Sequence, residues 1–220
     1  MDQASVLKFL AQLKSVEEKR NFTQSYDLII NLKNLDLKKP DQQIDSFVTL
    51  HYSTGKKRKI AAFVAAELLQ QARSVCDKAI TLEEAAEQYK EKKTIKKLAK
   101  EFDFFIAQAN IMPKVALQFG KVLGPRSKMP NPKLGCVVPP QANLKQLYDK
   151  LQTTLPLKAK TQPVIQVRVG SQSMPDAEVA DNIMTVYNGL VHLLPNEKNN
   201  VRSVYLKFTM GKPVRIDAKE

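Results

Sequence analysis

Short polar side chains recur at alternate positions in two stretches of this sequence, one near each end. The odd-numbered positions carry Asn21, Thr23, Ser25 and Asp27 in NFTQSYDLIINL, and Ser203, Tyr205, Lys207 and Thr209 in VRSVYLKFTMG. Short hydroxyl groups make hydrogen bonds of fixed geometry, and RNA offers 2′-hydroxyls and phosphates to them. A solvated outer strand face is the competing interpretation. The predominance of short hydroxyls over Lys and Glu favours RNA binding.

The second stretch ends in the tripeptide Thr-Met-Gly at residues 209 to 211, an unusual end for a strand. Glycine lets another backbone approach closely, and methionine offers an apolar surface that adapts to its partner. Lys207, Lys212 and Arg215 flank this corner in the sequence and suit phosphate groups. The sequence therefore predicts that RNA packs closely against this corner.

Apolar residues in the same stretches predict the elements that hold these side chains. The even positions of the first stretch are apolar at Phe22, Tyr26, Leu28, Ile30 and Leu32, and only Gln24 interrupts them. Alternation with period two is typical of a strand that has one face on a core. Helical spacing of Val6, Phe9, Leu13 and Val16 predicts a helix over residues 4–19, and a longer stripe predicts a helix over 173–194 with Ser173 as its N-cap.

The two ends of the chain share one pattern and the middle has another. Helix, strand, strand at the start and strand, helix, strand at the end are each too short to bury their own faces. Together they predict one α+β domain with an antiparallel sheet, formed by residues 1–56 and 158–220. Between them, continuous apolar strands such as KIAAFVA alternate with helices, which predicts an inserted α/β domain at 57–157. Two linkers would let such domains hinge.

The composition limits the classes of function. The chain has 35 Lys and Arg against 22 Asp and Glu, a net charge of +13, which favours a polyanionic partner. It has neither an apolar run long enough to span a membrane nor a signal-peptide pattern at its start, so we expect a cytoplasmic protein without a membrane partner. Two cysteines and two histidines, scattered along the chain, predict no metal site. No catalytic set and no cofactor site is evident.

A basic loop at residues 119–135, FGKVLGPRSKMPNPKLG, is the most unusual stretch. It carries Lys121, Arg126, Lys128 and Lys133 and no acidic residue. Three interpretations stay open: a nucleotide-binding loop, a Pro-stiffened structural loop, and a positive loop that touches phosphates. The first is weak, because the loop matches neither GxxxxGK[ST] nor GxGxxG and follows a helix. The lysine run at 92–100 is interpreted as a solvated helix face.

Three longer motifs occur in order along the chain: NFTQSYDLIINL, LGPRSKMPNPKLG and VRSVYLKFTMGKPVRI. In these motifs the chain resembles the ribosomal protein L-one family of the large ribosomal subunit, in its archaeal form. That family has a Phe followed three residues later by Thr or Ser in the first motif, usually LGPRG in the second, and the Ser and Thr-Met-Gly in the third. The resemblance covers essentially the whole chain.

The resemblance implies a fold and a role. The family has a first domain built from both chain ends and an inserted Rossmann-like second domain. The first domain binds large-subunit ribosomal RNA, and the two form the mobile stalk beside the exit (E) site, which helps deacylated tRNA leave. The same surface can bind the protein's own mRNA and repress its translation. We therefore expect ribosomal RNA, the protein's own mRNA and E-site tRNA as partners, and a monomer off the ribosome.

The resemblance also implies contact residues. The family positions are Phe22, Ser25, Ser203, Thr209, Met210 and Gly211, to which we add Thr23, Lys207 and Lys212 as neighbours. Asn21 stands where the family often has Lys, so a positive charge is absent there. Ser127 stands where the family usually has Gly, which leaves the backbone of the basic loop open.

Two other functions compete with the RNA-binding stalk protein. An enzyme could hold a nucleotide in the insert, but no Gly-rich turn follows the strand KIAAFVA. A general nucleic-acid-binding protein could act through charge alone. It predicts binding that follows charge, whereas a protein that reads one site should fail when a single glycine is replaced.

Overall fold

The structure is a computed structural model that describes residues 3–16, 20–89 and 91–216, without the side chains of Val16 and Pro40. Residues 17–19 of the expected first helix and the Val16 side chain of its apolar stripe lie outside the described part. By its internal contacts the chain divides into two units: a split unit of Met1–Lys56 and Thr153–Glu220, and an insert of Lys57–Gln152.

Seven helices and ten strands occur within the described residues. The helices are α1 (Gln3–Val16), α2 (Ala66–Val75), α3 (Leu82–Gln88), α4 (Lys92–Glu101), α5 (Met112–Leu123), α6 (Leu144–Thr153) and α7 (Asp176–Val191). The strands are β1 (Ser25–Leu32), β2 (Ile44–Thr49), β3 (Ile60–Phe63), β4 (Lys78–Ile80), β5 (Phe104–Gln108), β6 (Val137–Val138), β7 (Thr154–Ala159), β8 (Val164–Ser171), β9 (Val201–Phe208) and β10 (Val214–Arg215). Short 3-10 turns lie at Pro40–Gln42, Ala109–Ile111, Pro132–Leu134 and Glu197–Asn200.

The split unit contains a four-stranded antiparallel sheet in the order β10-β9-β1-β8. Strand β1 alternates between half-buried and buried positions, as the period-two pattern predicts. Its buried side chains share one core with α1 and α7. Because side chains alternate along a strand, the polar positions of β1 and β9 lie on the opposite face of the sheet. The expected antiparallel α+β part is confirmed.

The insert contains a parallel sheet in the order β4-β3-β5-β6. All residues of β3 are buried, as the continuous apolar run predicts. In its core the Phe63 ring stacks on Phe105 at 5.8 Å and packs at a tilt against Phe119 at 4.7 Å, measured between ring centroids. The parallel order with interleaved helices confirms the expected Rossmann-like α/β architecture.

Two details of the sequence interpretation are wrong. Residues 153–157 were assigned to the insert, but Thr154 already begins β7, which pairs with β2 of the split unit. In this stretch Thr154, Leu155 and Leu157 are buried as residues of the strand β7. The N-cap of α7 is Pro175 and not Ser173, whose hydroxyl lies 3.2 Å from that of Ser171.

Candidate nucleic-acid interface

The two polar stretches lie side by side in the split unit. Strands β1 and β9 are antiparallel neighbours, and their register pairs Asp27 with Lys207 and Asn31 with Ser203. Residues that face each other across a ladder lie on the same face of the sheet. The two predicted polar faces are therefore one surface. Strand β1 begins only at Ser25, so Asn21 and Thr23 precede the ladder and are exposed.

Thr209 joins the two strands at their shared end. Its backbone N–H donates to the Ser25 carbonyl at 3.1 Å, and its hydroxyl lies 3.4 Å from the same oxygen. The Ser25 N–H in turn donates to the Thr209 hydroxyl at 3.3 Å. The Thr209 hydroxyl, predicted to contact RNA, thus also ties the Ser25 backbone to the end of β9. Beyond Thr209, the N–H of Gly211 donates to the Phe208 carbonyl at 3.0 Å and closes a turn.

Gln24 is a buried polar residue whose contact with the turn the sequence interpretation missed. Its side chain is only 1% exposed, and its amide oxygen accepts a hydrogen bond from the Met210 N–H at 3.1 Å. Its backbone carbonyl accepts from the N–H of Gln172 at 2.9 Å. The signal was present in the sequence, because Gln24 is the single polar residue in the apolar row. Burying an amide is costly without such partners, so its position here fixes the Thr-Met-Gly turn.

Two large apolar side chains lie exposed beside this turn. Phe22 is 52% exposed and Met210 is 61% exposed. Phe22 and Thr23 also line an open cavity of about 450 Å³, together with Arg20, Asn21, Gln172 and Ser173. An exposed aromatic ring can stack on a base, and Met adapts to an irregular partner surface. This corner therefore combines a rigid backbone with apolar groups that the protein itself leaves uncovered.

Ser203 differs from the expected exposed position. It is 6% exposed, and its hydroxyl accepts a hydrogen bond from the Asn31 side-chain amide at 2.9 Å. The pairing of Asn31 with Ser203 in the ladder brings these groups together. Alternation correctly predicted the face on which Ser203 lies, but an amide from the neighbouring strand covers it.

A charged row crosses the middle of the surface. Asp27 lies between Lys207 on β9 and Arg168 on β8. Burial raises the pKa of Asp27, and the positive charges of Lys207 and then Arg168 oppose that increase. The Arg168 Nε is buried and has no hydrogen-bond partner among the described residues. Lys207 is thus half-buried beside a carboxylate, whereas Lys212 is exposed.

The basic loop has a structural role in the insert. Lys128 Nζ donates to the carbonyls of Ala99 and Phe102 at 2.9 and 2.7 Å, and Arg126 donates to the Lys96 carbonyl at 3.3 Å. The Ala99 and Phe102 carbonyls belong to the end of α4, where the helix leaves acceptors without intrahelical partners, whereas Lys96 lies in the middle of the helix. Burial lowers the pKa of Lys128. The Pro-stiffened structural interpretation thus has support at Arg126 and Lys128, while Lys121 and Lys133 are exposed.

Ser127 adopts a backbone conformation that favours glycine. Its φ is +52°, in the left-handed region. A side chain there is strained, which explains in physical terms why a Gly suits this position of the LGPR motif.

The site that a nucleotide would need in the insert is filled. In a parallel sheet of this order, ligands bind where the strand order reverses, here between β3 and β5, against a helix N-terminus. At that point the buried Gln108 side chain accepts from the Ala65 N–H at 2.9 Å and donates to Glu67 at 3.0 Å. Glu67 lies in the first turn of α2 and would repel a phosphate. The geometry disfavours the nucleotide-binding alternative.

Comparison with known proteins places these features in one family. The model of the Ribosomal protein L1p/L10e family matches residues 13–212. The chain belongs to this family. It is 42% identical over 217 residues to large ribosomal subunit protein uL1 of Methanothermococcus thermolithotrophicus, covering 99% of this chain and 100% of that protein. It is 40% identical to the protein of the same name from Methanothermobacter thermautotrophicus, covering 97% and 99%, and 37% identical to that from Pyrococcus horikoshii, covering 98% and 97%.

Family membership confirms two expectations. The resemblance to the archaeal form of the family is confirmed. Members of this family are structural ribosomal proteins and not enzymes, so the enzyme alternative is excluded. In the described part of the chain, no helix is both long and apolar enough to cross a bilayer.

Proposed function

We propose that this protein is a component of the large ribosomal subunit in the cytoplasm and binds ribosomal RNA through the end of the β1–β9 ladder. The observation that carries the proposal is the turn at residues 209–211. Thr209 is bonded to Ser25, Met210 is bonded to buried Gln24, and Gly211 closes the turn. Backbone held in this way does not have to be ordered when RNA binds, so the cost of association is lower.

The exposed groups around the turn suggest how RNA is recognised. Phe22 and Met210 supply apolar contact, Thr23 supplies an exposed hydroxyl, and Lys212 supplies charge. The Thr209 hydroxyl keeps acceptor capacity beyond its bonds with the Ser25 backbone, and the Ser25 hydroxyl takes no part in those bonds. Ser203 would act through Asn31, which its hydroxyl orients.

The role in translation follows from the family and is part of the proposal. We propose that the protein and its RNA form the mobile stalk at the E site and assist release of deacylated tRNA. The same surface would bind a similar fold in the protein's own mRNA and repress translation. Off the ribosome the protein would be a monomer.

Chemical footprinting on large-subunit ribosomal RNA tests the site and the class together. Protection confined to one stalk region, lost in a folded Gly211→Val variant, is the expected result. The β-branched side chain would separate the two surfaces, and each stranded hydrogen-bonding group costs about 1–3 kcal/mol. Protection spread over the RNA in proportion to charge would favour the charge-driven alternative instead. Competition by the 5′ region of the protein's own mRNA tests the regulatory role.

A further inference from the structure

The positive charge of this protein is unevenly distributed between its two units. The insert, residues 57–152, has 18 basic and 9 acidic residues, a net charge of +9. The split unit has 17 basic and 13 acidic residues, a net charge of +4. The proposed RNA surface lies in the split unit. Most of the excess charge therefore belongs to a part of the chain that the proposed surface does not include.

One face of α4 carries much of that charge. Ile95, Leu98 and Ala99 are buried against the insert core. The exposed positions are Lys92, Lys93, Lys96, Lys97, Lys100 and, at the C-terminal end of the helix, Glu101. At 3.6 residues per turn, these lysines fill a single arc of about 140° on a helix about 15 Å long. Among the described residues, no carboxylate forms an ion pair with any of them.

This arrangement opposes the stability of the helix. The N-cap of α4 is Glu91, but the first turn has no acidic residue and contains Lys92 and Lys93, although the helix dipole disfavours cations there. Lysines four apart, as at 92, 96 and 100, repel each other. A face that only needed solvation could carry both signs of charge, as most protein surfaces do.

We propose that the lysine face of α4 is a second RNA-binding surface, which holds the phosphate backbone of a duplex RNA without reading its sequence. Lysine binds phosphate as a point charge on a flexible chain, so it suits contacts to the RNA backbone that do not depend on the base sequence. Proteins that bind single-stranded RNA usually present aromatic side chains on which bases stack, and α4 has none. A duplex, by contrast, presents phosphates in a regular row.

The test compares two variants of the full chain that lose the same charge. One carries Lys92→Gln, Lys93→Gln, Lys96→Gln and Lys97→Gln. The control carries Lys33→Gln, Lys38→Gln, Lys39→Gln and Lys198→Gln, all exposed lysines of the split unit. The probe is a labelled duplex RNA of arbitrary sequence, titrated between about 50 and about 200 mM salt.

The α4 variant should bind the duplex at least about tenfold more weakly, and its slope of log affinity against log salt should fall by about 3 to 4, because four phosphate contacts are lost. The control should stay near the wild type. Equal losses in both variants, a preference for single strands, or an unchanged slope would overturn the proposal. If the fourfold variant melts early, the pairs Lys92→Gln/Lys96→Gln and Lys93→Gln/Lys97→Gln should each lower the slope by about 2.

Binding to an isolated stalk RNA fragment separates this inference from the proposed function. The α4 variant should keep its affinity for that fragment. If the wild type fails to bind the fragment specifically, the proposed function fails, whatever the duplex titration shows.

Discussion

Replacing Gln24 with Leu tests whether the buried amide positions the RNA-binding turn. Leu has a similar volume but no acceptor for the Met210 N–H, which is now bonded at 3.1 Å. An unsatisfied buried donor costs about 1–3 kcal/mol. Because Met210 is 61% exposed, water can partly satisfy its N–H, so we expect about 1 kcal/mol of lost stability.

The larger effect should appear in RNA binding. A turn released from Gln24 must be ordered again when RNA binds, and fixing the backbone of one residue costs about 1–2 kcal/mol. The expected loss of affinity is therefore about 5- to 30-fold. The salt dependence should not change, because no phosphate contact is removed.

Three measurements on the Gln24→Leu variant separate positioning from unfolding. A denaturant titration gives its stability, hydrogen exchange reports on the Met210 amide, and a titration with the stalk RNA fragment gives the affinity. The matched control is Gln12→Leu at an exposed position of α1. If the Met210 amide exchanges faster while RNA affinity stays within about twofold of the wild type, the turn does not need to be preorganised and the reasoning fails.

Three further substitutions or deletions have defined outcomes. Ser127→Gly should raise the free energy of unfolding by about 0.5–1 kcal/mol, because relief of left-handed strain exceeds the added entropy of the unfolded chain; an earlier melt would contradict this. Lys128→Met should destabilise the chain by about 1–3 kcal/mol by stranding the Ala99 and Phe102 carbonyls, whereas Lys133→Met at an exposed position should not. Replacing residues 57–152 with a Gly/Ser linker should leave a unit that melts cooperatively and binds RNA. Replacing residues 57–157 should not, because that deletion removes most of β7. If both deletion variants melt cooperatively and bind RNA equally well, the domain boundary lies elsewhere.

Long periodic elements could be predicted from the sequence, and short ones could not. Strands β1 and β9 have eight residues each, enough for period two to be visible. Strands β4, β6 and β10 have two or three residues, too few to show any period. They form because a neighbouring strand supplies backbone hydrogen-bond partners, and a local sequence pattern does not show which strand will be the neighbour.

The candidate site shows the same limit at single residues. The alternating pattern correctly predicts the faces of Ser25 and Ser203, but it does not reveal that Asn31 covers Ser203. Gln24 is conspicuous in its apolar row, yet its partner lies 186 residues further along the chain. The pattern of charges in the sequence likewise cannot distinguish a lysine that caps a helix, such as Lys128, from a lysine that binds a ligand.

A double-mutant cycle between Gln24 and Thr209 tests how the hydroxyl groups contribute. In the structure the Thr209 hydroxyl already bonds with the backbone of Ser25, so its first role is to fix the turn that Gln24 also holds. Thr209→Val should therefore weaken RNA binding by about tenfold, while Thr209→Ser, which keeps the hydroxyl, should stay close to the wild type.

If both residues act by ordering the turn, the losses of binding free energy in Gln24→Leu and Thr209→Val should not be additive. Either substitution alone would already disorder the turn, so the second would add little. A coupling energy of about 0.5 kcal/mol or more is then expected from stalk-fragment titrations of the wild type, the two single variants and the double variant. Strictly additive losses would mean that the Thr209 hydroxyl contacts RNA independently of the turn.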